Sequence, residues 1–306
     1  MFIFQARDIF FQALHPAATL TYLAVVVAGA VVLTHPLYLL AVFLSVFAAL
    51  VASGGMEGWL KSSRFFLFLI VMILAINLLI NKMGQTVLLR GPALPVLGEV
   101  VLTLETAVYS LVMGIRLLAV FTAFMLYNYA VNPDQALSLF ARLFPRSALL
   151  VALATKTIPS LFQKLQSAEE IARCRGVNFR TASRFARIKN RLPLIRVLVI
   201  SSLEESFNIG ESIQARAYGS GRRTSYFHRP FRPGDVLIMA SSSAALLLLT
   251  LSIIRGWGGF SFYPRLDEWI LSRPQGAALL GTGLFLMIPV LPAWGWRKWN
   301  FIRWKI

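Results

Sequence analysis

Six apolar runs punctuate the chain, at residues 17–33, 37–52, 65–80, 107–131, 236–254 and 277–291. A helix that crosses the hydrocarbon core of a bilayer needs about 17 to 25 apolar residues, because no water is present there to satisfy stray backbone N–H and C=O groups. Of the 306 residues, 57% are hydrophobic and only 14% are charged, against about 25% charged in a soluble domain. The chain therefore reads as an all-α polytopic membrane protein with six transmembrane helices. Arg7 next to Asp8, followed by Phe10, Phe11 and Leu14, offers neither a basic start nor a small-residue cleavage site, so the first run is expected to be retained as a span.

The placement of charge divides the chain. Of its 30 Lys and Arg, 17 lie between Asn132 and Asp235, where only 7 acidic residues stand against them. Basic residues near the ends of spans mark the cytoplasmic side. The expected organisation is a four-span block over 1–131, a cytoplasmic helical insert over 132–235, and a two-span block with a basic aromatic tail over 236–306. An even number of spans on each side then places both termini on the cytoplasmic side of the cell membrane, in agreement with Arg297, Lys298, Arg303 and Lys305. Trp294, Trp296, Trp299 and Trp304 among those charges read as an interfacial anchor. Because they directly follow a span, no nucleic-acid partner is expected, whereas the basic insert suits anionic lipid head groups. The connections 82–103, broken by Pro92 and Pro95, and 255–275, rich in Gly and Pro, read as irregular external loops.

Helical periodicity returns inside the insert. Pro133-Asp134 opens an amphipathic stretch with Ala136, Leu137, Phe140 and Leu143 in register, which Pro145 ends. A second helix runs from near Ser147 past Pro159 to Gly176, with Leu161, Leu165, Ala168 and Ala172 on one face. A basic link, 177–192, leads to a third helix expected to start near Pro193, with Leu203, Phe207, Gly210, Ile213 and Ala217 at intervals of three and four, and Gly219, Gly221 and Arg222-Arg223 marking its end. The two long helices finish in one pattern, Glu170-Ile171-Ala172-Arg173-Cys174-Arg175-Gly176 and Glu211-Ser212-Ile213-Gln214-Ala215-Arg216-Ala217. In both, a Glu stands five residues before an Arg with a small residue on each side. An arginine left unshielded in this way can be pushed end-on into another protein's groove, its fork of donors meeting carboxylates or carbonyls. The alternative for a single arginine is a solvated charge favoured by the helix dipole; the repetition points to docking.

Catalytic chemistry is not assembled. There is no G-x-x-x-x-G-K-[ST] loop to hold ATP on this chain. His15, His35 and His228 are far apart, and His15 and His35 each precede a proline at opposite ends of one span, which reads as positional rather than metal-binding. Glu169-Glu170 and Glu204-Glu205 are adjacent pairs, a poor cage for Mg²⁺, which argues against a lipid-modifying enzyme. Polar residues along the spans are few, which argues against an ordinary permease lining its own solute path. Cys174 is the one cysteine and reads as a small spacer. Arg116, inside the fourth run, is either a polar latch or partner contact, or a side chain snorkelling to the outer interface. Asn77 suits a bond between helices.

Taken with the tips, the entry His15-Pro16, the setting of Arg116, Asn132-Pro133 ahead of the insert, Ile158-Pro159 ahead of the first tip and the run Ala215 to Thr224 at the second, the chain resembles the transmembrane T component of energy-coupling factor transporters, the EcfT/CbiQ family. That family's T component joins two cytoplasmic ABC-type ATPases to a small integral membrane subunit that binds a vitamin or metal ion. The resemblance implies that Cys174-Arg175-Gly176 and Ala215-Arg216-Ala217 each insert into a groove of one ATPase, supported by Glu170, Glu211 and Arg116. It also implies that ATP is bound by the partners, with no cofactor or metal on this chain. Closure of the ATPase pair would then move the insert helices and tilt the substrate-binding subunit docked on their apolar faces. Cys174 stands where the family has Ala, Ala217 stands where it has Gly, and no basic residue follows His15-Pro16. A methyl at 217 is expected to restrict left-handed backbone and the close approach of a second chain.

Overall fold

A computed structural model describes residues 9–80, 84–94, 98–177, 184–221, 231–267 and 271–298. His228, Arg222-Arg223, Trp299, Trp304, Arg303, Lys305 and Arg7-Asp8 lie outside these residues. In chain order the elements are α1 (Phe10–Ala13), α2 (Pro16–Val32), α3 (Pro36–Ala52), α4 (Met56–Ile80), β1 (Val87–Leu94), β2 (Gly98–Thr103), α5 (Leu104–Ala130), α6 (Pro133–Leu143), α7 (Pro145–Cys174), α8 (Arg184–Ala215), α9 (Pro233–Ile254), α10 (Arg273–Met287) and α11 (Val290–Lys298). Proline opens α2, α3, α7 and α9 within the first two positions, where its missing N–H has no intrahelical partner to lose. The imidazoles of His15 and His35 complete two of these starts, each Nδ1 accepting from the backbone N–H two residues on, at 3.2 and 3.3 Å.

The protein is an all-α polytopic membrane protein carrying one small hairpin. Met56–Asn77, Leu104–Ala130, Pro233–Ile254 and Arg273–Trp296 are long and apolar enough to cross a bilayer. The 17-residue helices α2 and α3 are the short ones, at about 1.5 Å of rise per residue. The third apolar run, 65–80, lies in a longer helix: Glu57, Lys61 and Arg64 interrupt the hydropathy ahead of it but are ordinary helix formers, and α4 extends back through them to Met56. The sixth is split at Ile288-Pro289 into α10 and α11, since proline cannot donate to the helical ladder.

Two compact units make up the chain, Met1–Ala136 with Arg229–Ile306, and Leu137–His228. In the first, α5 packs against α2, α3 and α4, α9 against α2 and α10, and α10 against α3. The core is built from Tyr22, Val26, Val42, Val46, Leu50, Leu126, Ile238 and Leu249, with Ala30, Ala49, Ala119, Ala123 and Ala245 allowing close helix approach. A Cβ on Gly29 would meet the Leu249 side chain at 3.3 Å, so α2 and α9 touch nearly backbone to side chain there. Helix α4 leaves Leu67, Phe68 and Val71 exposed, surface that hydrocarbon covers without cost. Trp296 is only 6% exposed and packs on Phe10 at 5.7 Å, so it belongs to the core rather than to an anchor, while Trp294 is exposed.

The connection expected to be an irregular loop at 82–103 instead holds an antiparallel hairpin, pairing Val87 with Thr103, Arg90 with Val101 and Leu94 with Gly98. Pro92 is accommodated because the register shifts between Arg90 and Ala93, and a bulge spares the missing N–H. Its entry is fixed by Glu105, a buried side chain accepting from the Thr86 N–H at 3.1 Å and from the Thr86 hydroxyl. The connection after α9 is irregular, as expected, and is pinned to the α2–α3 turn: Thr34 and His35 donate N–H to the Gly258 carbonyl at 3.0 and 3.1 Å.

In the second unit α7 and α8 lie against each other, tied by Lys164 to Glu205 at 2.7 Å. Both contain an internal proline, Pro159 and Pro193. Helix α8 thus does not begin at Pro193 but at Arg184, nine residues earlier within the stretch expected to be a basic link.

Candidate functional site

The two arginine tips are built by the same turn. At the end of α7 the Arg175 N–H bonds the Ile171 carbonyl at 3.1 Å, Gly176 bonds Arg173 at 2.9 Å and Val177 bonds Ala172 at 3.0 Å. At the end of α8, Arg216 bonds Ser212 at 3.2 Å, Ala217 bonds Gln214 at 2.9 Å and Tyr218 bonds Ile213 at 3.2 Å. Residue for residue this is one pattern, in which the last orphan carbonyls of a helix are satisfied by the N–H of a left-handed residue and by that of the residue after it. The left-handed residue is Gly176, with φ +85°, in the first tip and Ala217, with φ +54°, in the second. Arginine therefore occupies the cap position in both, with Cys174 or Ala215 before it and Gly176 or Ala217 after it. All six residues are exposed.

This geometry gives the tip its chemistry. The left-handed residue turns the chain away, and neighbours of one carbon or none on the side chain leave the guanidinium unshielded. Among the described residues neither the Arg175 nor the Arg216 side chain has a hydrogen-bond or ion-pair partner. Each presents five donors in a planar fork to whatever lies beyond the helix. Ala217 shows that the turn tolerates a methyl, at a cost of about 1 kcal/mol in left-handed backbone. Space is not the constraint: a Cβ added to Gly176 would meet nothing within 4 Å.

Glu170 and Glu211 are exposed and pair with neither arginine among the described residues. Among the described residues the acidic side chains engaged in ion pairs are Glu169 and Glu205. Glu169 faces Arg173 at 3.0 Å, one turn on in the same helix, and Arg191 of α8 at 3.9 Å, while Glu205 holds Lys164. The Glu169–Arg173 spacing was visible as a helical i, i+4 pair. The Lys164–Glu205 contact joins residues 41 apart and has no local signature.

Between α7 and α8 runs an open groove of about 490 Å³, lined by Ile158, Leu161, Phe162 and Leu165 from one helix and by Ile195, Leu198, Val199 and Leu203 from the other. Its rim is bare: Phe162 is 63% exposed and Leu203 59%. Arg116 lies elsewhere, in the first unit. Its Nη2 donates to the Leu33 carbonyl at 2.7 Å and its Nη1 reaches the Met113 sulfur at 3.5 Å, so it latches α5 to the C-terminus of α2. Among the described residues no group of three His, Cys, Asp or Glu side chains gathers as a metal site would require.

The family model described as CbiQ, cobalt transport protein, matches residues 10–226, a stretch that includes both tips. The chain belongs to this family. Relatives carrying the name energy-coupling factor transporter transmembrane protein EcfT include those of Bacillus selenitireducens, 23% identical over 74% of this chain and 87% of the relative, and of Heliobacterium modesticaldum, 24% identical over 49% and 51%. A third, from Listeria monocytogenes, is 26% identical over 35% of this chain. The chain spans 39% of the length of the Listeria relative and 51% of that of Heliobacterium. With its apolar helices the chain is a multi-pass membrane protein of this family, and the paired tips are the feature of its described surface most suited to binding.

Proposed function

We propose that this chain is the transmembrane coupling component of an energy-coupling factor importer. It binds two cytoplasmic ABC-type ATPases through Arg175 and Arg216 and passes their ATP-driven movement to a small substrate-binding membrane subunit for uptake of a vitamin or metal ion. The observation that carries this reading is the identity of the two tips: the same hydrogen-bonded turn, with an arginine at its cap whose side chain has no partner among the described residues, closes α7 and α8. Paired, equivalent prongs suit paired, equivalent grooves, and the relatives named as energy-coupling factor components support the assembly. The second unit and both termini then face the cytoplasm, following the basic bias of the insert. The chain itself is non-catalytic, ATP belonging to its partners. The open apolar groove between α7 and α8 is the surface on which the substrate-binding subunit rides, since bare apolar surface of this kind is normally covered by a partner.

The test is charge reversal. Arg175→Glu and Arg216→Glu, singly and together, are assayed for co-purification with the ATPases in mild detergent and for uptake. An arginine facing an acidic groove at a buried interface is worth about 2 to 5 kcal/mol, so each single variant should lose most of its bound ATPase and the double variant all of it. Full retention of ATPases and uptake by the double variant would overturn the proposal.

A further inference from the structure

The chain leaves the first unit after α5 and re-enters it at α9, and α5 and α9 share no extended packed face of their own, α2 lying against each. Both crossings are instead gripped by one short segment at the other end of the sequence, residues 10–15. Gln12 Nε2 donates to the Tyr129 carbonyl at 2.6 Å, in the last turn of α5, just before Asn132-Pro133. Three residues on, the His15 N–H donates to Asp235 Oδ1 at 2.6 Å, in the first turn of α9. The other oxygen, Asp235 Oδ2, accepts the Arg232 N–H at 2.9 Å, so both carboxylate oxygens are committed and the side chain is only 1% exposed. The His15 ring stacks on Phe231, immediately ahead of α9, with centroids 4.2 Å apart and planes 21° from parallel.

The segment is itself held fast. Phe10 and Phe11 are each 1% exposed, Phe10 against Trp296 at 5.7 Å and Phe11 against Tyr22 at 6.0 Å, and the Phe11 carbonyl accepts the Thr19 hydroxyl. Charge-assisted bonds to a buried carboxylate are about twice as strong as neutral ones. A segment of six residues anchored by two buried rings cannot stretch to let its ends drift. A force arriving along the insert enters the bundle through two separate helices, which are joined along their length through α2 and the shared core; a tie at the end of α5 and the start of α9 would hold together the two points where the chain crosses.

We propose that residues 10–15 are a strap joining the end of α5 to the start of α9, with Gln12 and Asp235 as its positioning residues, so that movement of the coupling helices enters the bundle as one displacement. The inference rests on the coupling function proposed above. Its test uses the assembled complex with its ATPases. Spin labels on Asn128→Cys and Leu237→Cys, both at exposed positions, in a Cys174→Ser background, report the separation of the two helix ends with and without vanadate-trapped nucleotide. With the strap intact the distance distribution should be single and should not move on trapping. Gln12→Glu removes the donor at constant size, and Asp235→Ala removes both acceptors. In either variant the distribution should broaden and its mean should shift on trapping, while the ATPases stay bound to the same extent as in the Cys174→Ser parent, because Gln12→Glu and Asp235→Ala lie outside both tips. Variants that keep the unmoved distribution would overturn the strap, as would an intact complex whose distance shifts on trapping. Gln12→Glu keeps the test decisive if Asp235→Ala does not fold. Failure of the coupling reading has a different signature, the absence of ATPases from the unmutated complex.

Discussion

At Ala217 the backbone does what glycine does at Gly176. The φ of +54° sits in the region that L side chains avoid, and the helix holds it there because the Ala217 and Tyr218 N–H groups each gain a carbonyl. Such a position should respond to glycine in the opposite sense from most helical sites. Ala217→Gly should stabilise the end of α8 by about 1 kcal/mol, and Gly176→Ala should loosen the end of α7 by a similar amount. Hydrogen exchange at the amides of residues 217–218 and 176–177 measures both; unchanged protection in both variants would show that the turn imposes no strain. The tips were legible in the sequence because a small-Arg-small pattern repeats behind a Glu at the same distance. That neither Glu170 nor Glu211 pairs with its arginine among the described residues was not, since both repeat as faithfully as the arginines, and only the spatial neighbourhood selects Glu169 and Glu205 for ion pairs.

Among the elements, the helices that carry the tips also carry the groove, and the two features should separate by mutation. Phe162→Asp or Leu203→Asp places a charge on the apolar rim, far along each helix from its arginine. Either should release the substrate-binding subunit while leaving the ATPases bound, read by the composition of the complex after affinity purification. Loss of the ATPases instead would assign the groove to them. Element ends were the hardest thing to read in advance. Pro193 resembles a helix start, yet α8 runs through it from Arg184, because tertiary packing against α7 compensates for one missing ladder bond. Pro92 resembles a strand breaker, yet β1 takes it at a register shift. By contrast His15-Pro16 and His35-Pro36 mark true starts, since proline there costs no hydrogen bond and the imidazole supplies one.

For the whole molecule, six apolar helices and a basic insert were readable from hydropathy and charge alone, both being sums over many residues. The long-range ties within the bundle were not. Gln12 with Tyr129 and His15 with Asp235 join residues 117 and 220 apart, and no local pattern announces them. The proposed assembly depends on both tips being covered by ATPases, and the chain carries its own reporter of that event. Its single cysteine, Cys174, is exposed and directly precedes Arg175. The rate at which a membrane-impermeant maleimide labels Cys174 is measured for the chain alone and for the chain assembled with its ATPases, with Ala215→Cys in a Cys174→Ser background reporting the second tip in the same way. Assembly should slow labelling at both positions by at least an order of magnitude, and equal rates before and after assembly would show that the ATPases grip somewhere else.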